Sequence, residues 1–158
     1  MKSLQNKGVA LDGVDEKLIA ALIKNARSSM RDLAALVGMS APSVTERVRR
    51  LEDIGVIRGF TLDLDPQALG YALQAIVRIK PLPGQLKKVE TLIQTIPECM
   101  ECDKVTGEDC FIARFCVPEI GSLDGLLEGL EARAETNTAI IKTSPVPRRL
   151  PPLQAGRS

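Results

Sequence analysis

Four cysteines, all between positions 99 and 116, are the side chains best suited to metal or redox chemistry. Cys99 and Cys102 form a CxxC pair, a spacing found in zinc and redox sites. The residues leading to Gly107 have the pattern of a strand, in which side chains three positions apart point to opposite faces. The pattern therefore predicts that Cys99 and Cys102 diverge, while Cys110 and Cys116 share a face of the next strand, about 20 Å apart. We interpret the cysteines as packing residues, with a metal or redox site as the alternative.

Histidine does not occur in the chain. This excludes every mechanism that needs an imidazole as a base, a proton shuttle or a metal ligand. No motif places a nucleophile beside a base. The sequence therefore predicts a protein that is not an enzyme and has no catalytic residue, no cofactor and no bound metal.

A pair of short helices, expected from Met30 to Val37 and from Ser40 to about Ile54, carries the strongest functional pattern. Ala34, Gly38 and Val44 have the spacing of a helix-turn-helix. In that motif a small residue lets the helices approach, glycine bends the turn, and the last apolar residue anchors the second helix. A plain helical hairpin is the alternative.

The segments on either side of this pair favour DNA binding. An earlier helix is expected to begin at Asp12, with Asp15 in its first turn. An extended, wing-like segment is expected from Val56 to Leu64. The apolar face of the earlier helix is marked by five residues: Leu11, Leu18, Ile19, Leu22 and Ile23.

The third predicted helix buries the face marked by Val44, Val48 and Leu51, so its other face is free to meet DNA. In a helix-turn-helix the early part of this helix enters the major groove. A solvated face is the alternative, since Glu52 and Asp53 lie close by. The predicted DNA-contacting residues are Ser43, Thr45 and Glu46 for base or groove contacts, Arg47, Arg49 and Arg50 for phosphates or guanine, and Ser40 and Pro42 beside them.

Composition and charge limit the class of protein without naming a partner. The 158 residues, 44% hydrophobic and 26% charged, suit one large or two small globular domains. Lys and Arg number 21 against 20 Asp and Glu, a net charge of +1 that does not indicate nucleic acid. No run approaches the roughly 20 apolar residues of a membrane span, and no secretory signal is recognised. We expect a soluble, cytoplasmic protein.

The C-terminal half has a different pattern, strand, helix, strand, strand, helix, strand, which is typical of a ferredoxin-like α+β sandwich. The hairpin turn falls at Gly107 to Asp109, and the last strand is expected from Thr138 to Thr143. Gly121, Gly125 and Gly129 form a stripe on the second helix of this half, which indicates close approach by another subunit or by the same chain. The predicted domains are residues 1–62, a linker at 63–70, residues 71–150 and a tail at 151–158.

Several motifs together resemble the Lrp/AsnC family of feast/famine transcriptional regulators. The resemblance covers nearly the whole chain and implies a winged helix-turn-helix joined to an amino-acid-sensing ferredoxin-like domain. It also implies homodimers that often assemble into octamers. The motifs are LDGVD (11–15), DLAALVGMS (32–40), RVRRLEDIGVI (47–57), LDPQALG (64–70), VTGEDC (105–110), TNT (136–138) and SPVPRR (144–149).

The resemblance implies that an amino-acid effector binds around the hairpin turn. A glycine there lets backbone N–H groups approach a ligand, and a carboxylate can pair with an ammonium group. The chain departs from the family pattern because many members have aspartate where Cys110 stands, so Glu108 and Asp109 are both candidates for the ammonium. A plain polar turn is the alternative. The candidate effector residues are Val105, Thr106, Gly107, Glu108 and Asp109, with Thr136 and Thr138 as weaker candidates.

We therefore predict a sequence-specific, DNA-binding transcriptional regulator that responds to a small effector, an amino acid being favoured. An amino-acid-binding module that acts on partner proteins instead of DNA is the alternative. Because two helices cover only one face of the predicted sheet, the other face is expected to be an apolar patch that pairs subunits. Ile76, Cys102 and Phe111 are expected on that face.

Overall fold

The computed structural model describes residues 9–153 of the chain. Residues 1–8 of the predicted first domain and 154–158 of the predicted tail lie outside this range. The chain divides into two compact units, one running to residue 62 and including the described tail from 148, the other covering residues 63–147.

The first unit contains three helices, α1 (Gly13–Lys24), α2 (Met30–Val37) and α3 (Ala41–Asp53). Each begins at a side-chain cap. Asp12 and Asp15 form a capping box on α1, and the Ser29 hydroxyl accepts the N–H of Asp32 at 3.1 Å. Ser40 caps α3 in the same way, and Gly38 ends α2 with a φ of 71°. These contacts confirm the predicted helix starts, because each cap satisfies N–H groups that a helix leaves free.

The core of the first unit lies where the three helices meet. The predicted face of α3 is confirmed, since Val44, Val48 and Leu51 are all buried. Ile23 was predicted on the apolar face of α1 but is 49% exposed. The other buried apolar residues of this unit are Leu18, Ile19, Leu22, Leu33 and Ala34.

Within the described residues, the segment between α3 and the first strand contains no β-strand. The predicted wing at 56–64 is therefore an unpaired, largely exposed stretch. After it, residues 66–70 form a turn, in which Gly70 donates its N–H to the carbonyl of Gln67 and Tyr71 donates to Pro66. This turn lies within the stretch predicted as the linker, residues 63–70.

The second unit is an antiparallel four-stranded sheet with the strand order β2-β3-β1-β4. The predicted order of strands and helices is confirmed, but the last strand begins four residues earlier than predicted. The elements are β1 (Leu73–Pro81), α4 (Leu86–Gln94), β2 (Cys99–Lys104), β3 (Phe111–Val117), α5 (Ile120–Glu131) and β4 (Ala134–Ile140).

Both helices pack against one face of the sheet. Alternate residues of β1 and β3 point into this core, as the two-residue period of a strand requires. Burial of each Val, Ile, Leu or Phe side chain in this core contributes about 1.5–3 kcal/mol to the free energy of unfolding. The core comprises Ala75, Val77, Ile79, Phe111, Ala113, Phe115, Val117 and Ala134 from the sheet, and Val89, Ile93, Leu123, Leu127 and Leu130 from the helices.

Two residues predicted on the uncovered sheet face lie on the opposite one. Phe111 is 3% exposed and belongs to the helix-covered core, and Cys102 pairs with the buried Ala113. Ile76 lies on the uncovered face as predicted, since it alternates with buried residues of β1. The uncovered face therefore contains Ile76 and Ile112 among polar neighbours, and is less apolar than predicted.

A β-bulge in β2 explains the wrong face of Cys102. The register shifts between Cys99 and Glu101, so Cys99 pairs with Phe115 and Cys102 pairs with Ala113. One extra residue in a strand reverses the face of every residue after it. Cys99 and Cys102 consequently share the helix-covered face, and the prediction that they diverge was wrong.

The cysteines are all free thiols. Desolvation raises the pKa of Cys102 to about 11 and raises the pKa of Cys99 and Cys116 as well. These thiols are therefore protonated and weakly reactive near neutral pH. Cys110 does not share a strand face with Cys116, because it precedes β3 and has a φ of 52°.

Candidate DNA-binding and effector sites

The face of α3 that does not enter the core presents the predicted DNA-contacting residues. Arg47 is half-buried, and the other seven are exposed. The hydroxyl oxygens of Ser40 and Ser43 lie 2.7 Å apart, and the Thr45 hydroxyl donates to the Ala41 carbonyl at 2.9 Å. The start of α3 thus offers small hydroxyl groups, which suit contacts with base edges or phosphates.

Two of the three arginines on α3 are bound to carboxylates of α1. The Nη1 atom of Arg47 lies 2.7 Å from Asp12 and 2.9 Å from Asp15, and the Nη2 atom of Arg50 lies 2.7 Å from Asp15. Arg49 makes no ion pair with any described residue. Arg49 is therefore the arginine of α3 that forms no ion pair with a described residue.

The ion pairs shift the pKa values of Asp12 and Arg47 toward their charged forms. The N–H of Asp15 and the guanidinium of Arg47 hold the pKa of Asp12 below its usual value. The carboxylates of Asp12 and Asp15 raise the pKa of Arg47. Two carboxylates face two guanidinium groups in the cluster of Asp12, Asp15, Arg47 and Arg50, so their formal charges cancel.

Asp15 is the site residue whose role the sequence analysis missed. It was interpreted as a first-turn carboxylate, yet it is fully buried, with no exposed surface. One signal was available, because Asp15 precedes Leu18 and Ile19 at helical spacing and so lies in their apolar stripe. A charge in that stripe requires a partner from another helix.

The candidate effector residues 105–109 form a loop between β2 and β3. The Val105 N–H donates to the Cys110 carbonyl at 2.7 Å and closes the loop. Gly107 has a φ of 129°, which favours glycine. Among the described non-glycine residues, only Cys110 has a positive φ. Thr106, Gly107 and Glu108 are exposed. The loop therefore presents open backbone at its tip.

Lys80 lies beside this loop and was not singled out from the sequence. Its Nζ atom is 3.9 Å from a Glu108 oxygen and 4.0 Å from a Glu135 oxygen. The end of β1 and the loop thus place an ammonium group next to carboxylates. These two kinds of charge suit the carboxylate and the ammonium group of a zwitterionic ligand. Thr136 and Thr138 pair with Ile79 and Val77 of the helix-covered face, opposite to the face of Lys80. The structure does not bring these threonines together with Lys80.

No described residue packs closely against the glycine stripe of α5. A Cβ atom built at Gly121, Gly125 or Gly129 has no heavy atom within 4 Å outside its own helix turn and chain neighbours. Tight packing within the described part of the chain therefore does not explain the stripe.

Some kinds of site are not found in the described range 9–153. No group of three or more His, Cys, Asp or Glu side chains there could hold a metal ion. None of the helices in that range is both long enough and apolar enough to cross a membrane.

Comparison with known proteins gives matches along most of the chain. A family model for winged helix-turn-helix DNA binding matches residues 11–58, and a model for the Lrp/AsnC ligand-binding domain matches residues 74–151. The HTH-type transcriptional regulator LrpC of Bacillus subtilis is 32% identical over 131 residues, covering 83% of this chain and 91% of LrpC. The regulator LrpA of Mycobacterium tuberculosis is 34% identical over 130 residues, covering 82% and 87%.

A solved structure agrees with these matches. The feast or famine regulatory protein of M. tuberculosis, solved in complex with L-methionine, superposes with a TM-score of 0.82 at 32% identity. The match covers 89% of this chain and 98% of that one. With both of its units matched and regulators above 30% identity along most of its length, the chain belongs to the Lrp/AsnC family of HTH-type transcriptional regulators.

Proposed function

We propose that this regulator binds its operator as a homodimer or a larger assembly of dimers, through the exposed face of α3. The observation that carries the proposal is that α3 buries Val44, Val48 and Leu51 and leaves its hydroxyl residues and Arg49 exposed. A symmetric dimer would place two such helices on successive half-sites and multiply their affinities. Such a protein acts on the chromosome, so a cytoplasmic location is part of the proposal.

Salt-dependent binding to DNA tests this function. The probe is a duplex selected by the unmodified protein from a random-sequence pool, which removes the need to know the operator. Phosphate contacts release counterions, so log K should fall linearly as log[salt] rises. Binding that does not weaken with salt, or no selection of any sequence, would contradict the proposal.

Replacing the unpaired arginine, Arg49→Ala, should weaken binding to the selected duplex. The charge of Arg49 is free to meet a phosphate, whereas those of Arg47 and Arg50 are shared with carboxylates. We expect about a tenfold loss of affinity and a salt slope that is shallower by about one unit. Fluorescence anisotropy over a salt series measures both quantities. Lys17→Ala, which removes an equal charge from the exposed side of α1, is the control and should leave the slope unchanged.

We propose further that an amino acid binds at the loop 105–110. The ligand-binding domain model covers this loop, and the M. tuberculosis relative was solved with L-methionine. Open backbone at Gly107 and the Lys80 ammonium suit a ligand carboxylate, and Glu108 or Asp109 suits its ammonium group. A thermal-shift screen of the twenty amino acids identifies the effector, since a ligand of the native state raises the melting temperature.

Gly107→Ala should abolish the response to whichever amino acid raises the melting temperature. The φ of 129° is one that alanine adopts at a cost of about 1–3 kcal/mol, so the loop would leave its binding conformation. Calorimetry should show at least about a tenfold weaker ligand affinity. DNA binding without ligand should persist, since α3 belongs to the other unit. Gly70→Ala, at a φ of 92° in a turn at the opposite end of β1, is the matched control. Equal ligand affinity in Gly107→Ala and the unmodified protein would place the site elsewhere.

A further inference from the structure

Asp15 is the buried charged residue of the described chain, with no exposed surface. Its two carboxylate oxygens accept from two different arginines of α3, Oδ1 from Arg47 at 2.9 Å and Oδ2 from Arg50 at 2.7 Å. The N–H of Asp12 also approaches Oδ2, at 3.3 Å. The carboxylate is therefore clamped between the start of α1 and the middle of α3.

The clamp constrains α3 more closely than apolar packing alone. Positions 47 and 50 are three residues apart, so both side chains leave the same side of α3. Each meets its own oxygen of one carboxylate, and charge-assisted hydrogen bonds require a defined direction as well as a distance. Rotation of α3 about its axis would break both bonds, whereas the apolar contacts of Val44 and Val48 tolerate small rotations. The orientation of α3 is thus tied to Asp15.

The hydrogen bonds of Asp15 with Arg47 and Arg50 also determine which side chains of α3 are free to contact DNA. With Arg47 and Arg50 directed toward α1, the free face contains Pro42 and the hydroxyl residues at the helix start, Glu46, and the unpaired Arg49. An unclamped helix would present three mobile arginines, which bind any phosphate backbone without regard to sequence. The ion pairs therefore reduce the positive charge of the DNA-facing surface and make its geometry definite.

We propose that Asp15 is a positioning residue for DNA recognition: through Arg47 and Arg50 it holds α3 in the orientation that places Arg49 and the start of the helix against the operator. This rests on the proposed use of α3 as the DNA-contacting helix. Its consequence runs against simple electrostatics. Removing a negative charge from a DNA-binding unit should strengthen binding to a polyanion, but removal of this one should weaken specific binding.

The test compares Asp15→Asn with Asp53→Asn in the full-length protein. Both substitutions remove one negative charge from the first unit, but Asp53 lies exposed at the end of α3 and makes no ion pair with a described residue. We expect Asp15→Asn to lose tenfold or more in affinity for the selected duplex, without a steeper salt slope. Asp53→Asn should bind as tightly as the unmodified protein or more tightly. Affinities are measured at a temperature where circular dichroism shows each variant fully folded.

A second variant separates positioning from stability. Asp15→Leu places an apolar side chain in the stripe of Leu18 and Leu22, which supports the fold without directing the arginines. We expect Asp15→Leu to melt at a higher temperature than Asp15→Asn and still to bind the selected duplex weakly. It also expects a smaller ratio of specific to random-duplex affinity in both variants.

Three results would overturn the proposal. One is equal or tighter specific binding by Asp15→Asn, with a steeper salt slope, because the freed arginines would then be acting as phosphate contacts. Another is recovery of specific affinity together with melting temperature in Asp15→Leu. The third is failure of both variants to fold, since the cluster would then be needed for the fold itself. Failure of the proposed function would be seen separately, as an absence of salt-dependent binding by the unmodified protein.

Discussion

Asp15→Asn is expected to destabilise the helix-turn-helix unit by about 3 kcal/mol. Removing one member of a buried ion pair costs about 3–5 kcal/mol, because its partners keep charges that lose their compensation. The lower end applies here, since the side chains of Arg47 and Arg50 are 29% and 48% exposed and can turn toward water. Urea unfolding, followed by circular dichroism, measures the change in the free energy of unfolding.

Asp53→Asn serves as the control for this measurement. Its side chain is exposed, so the change should stay within about 0.5 kcal/mol. A loss of less than 1 kcal/mol in Asp15→Asn would mean that the cluster contributes little to stability. The positioning role would not be affected by that result, because it is read from the affinity for DNA and not from unfolding.

Ile112→Asp is expected to dissociate the proposed homo-oligomer and to lower the affinity for an operator by about a hundredfold or more. Ile112 is 38% exposed on the sheet face that α4 and α5 leave uncovered, with Ile76 on the neighbouring strand. In a two-fold symmetric interface the substitution occurs twice, and each buried aspartate would lose its hydration. Two recognition helices that no longer belong to one molecule lose the benefit of effective concentration.

Light scattering of the full-length protein measures the assembly, and anisotropy with a two-half-site duplex measures the affinity. Ile120→Asp is the matched control, because Ile120 is 58% exposed at the start of α5, away from the uncovered sheet face. An aspartate there also suits the positive end of the helix dipole. An unchanged mass for Ile112→Asp would show that subunits pair through another surface.

The periodic spacing of apolar residues predicts some features of the sheet but not others. The order of strands and helices in the second unit was predicted correctly, because apolar spacing differs between the two kinds of element. The faces of β2 were wrong, because nothing in the run from Cys99 to Lys104 marks the extra residue that forms the bulge. A bulge is decided by which partner residues pair across two strands, and that pairing is a property of the folded sheet.

The candidate effector site was predicted in part. The loop at Gly107 was recognised because glycine beside polar residues between two strands is a local turn signal. Lys80 was not, since it lies 28 positions before Glu108 along the chain and reaches it through the pairing of β1 with β3. The uncovered face of the sheet carries Lys80 and Glu135, a juxtaposition that no local pattern predicts.

By itself the sequence determined the three helices of the first unit and their core. Caps at Asp12, Ser29 and Ser40 act over two or three residues, so the interactions that start each helix are contained in the local sequence. Tertiary structure alone decided which residues pair with Asp15, because Arg47 and Arg50 are 32 and 35 positions away. The physical reason is the separation along the chain between the residues that interact. A cap is formed within a single turn, whereas a buried charge is stable only beside opposite charges that another helix brings to it.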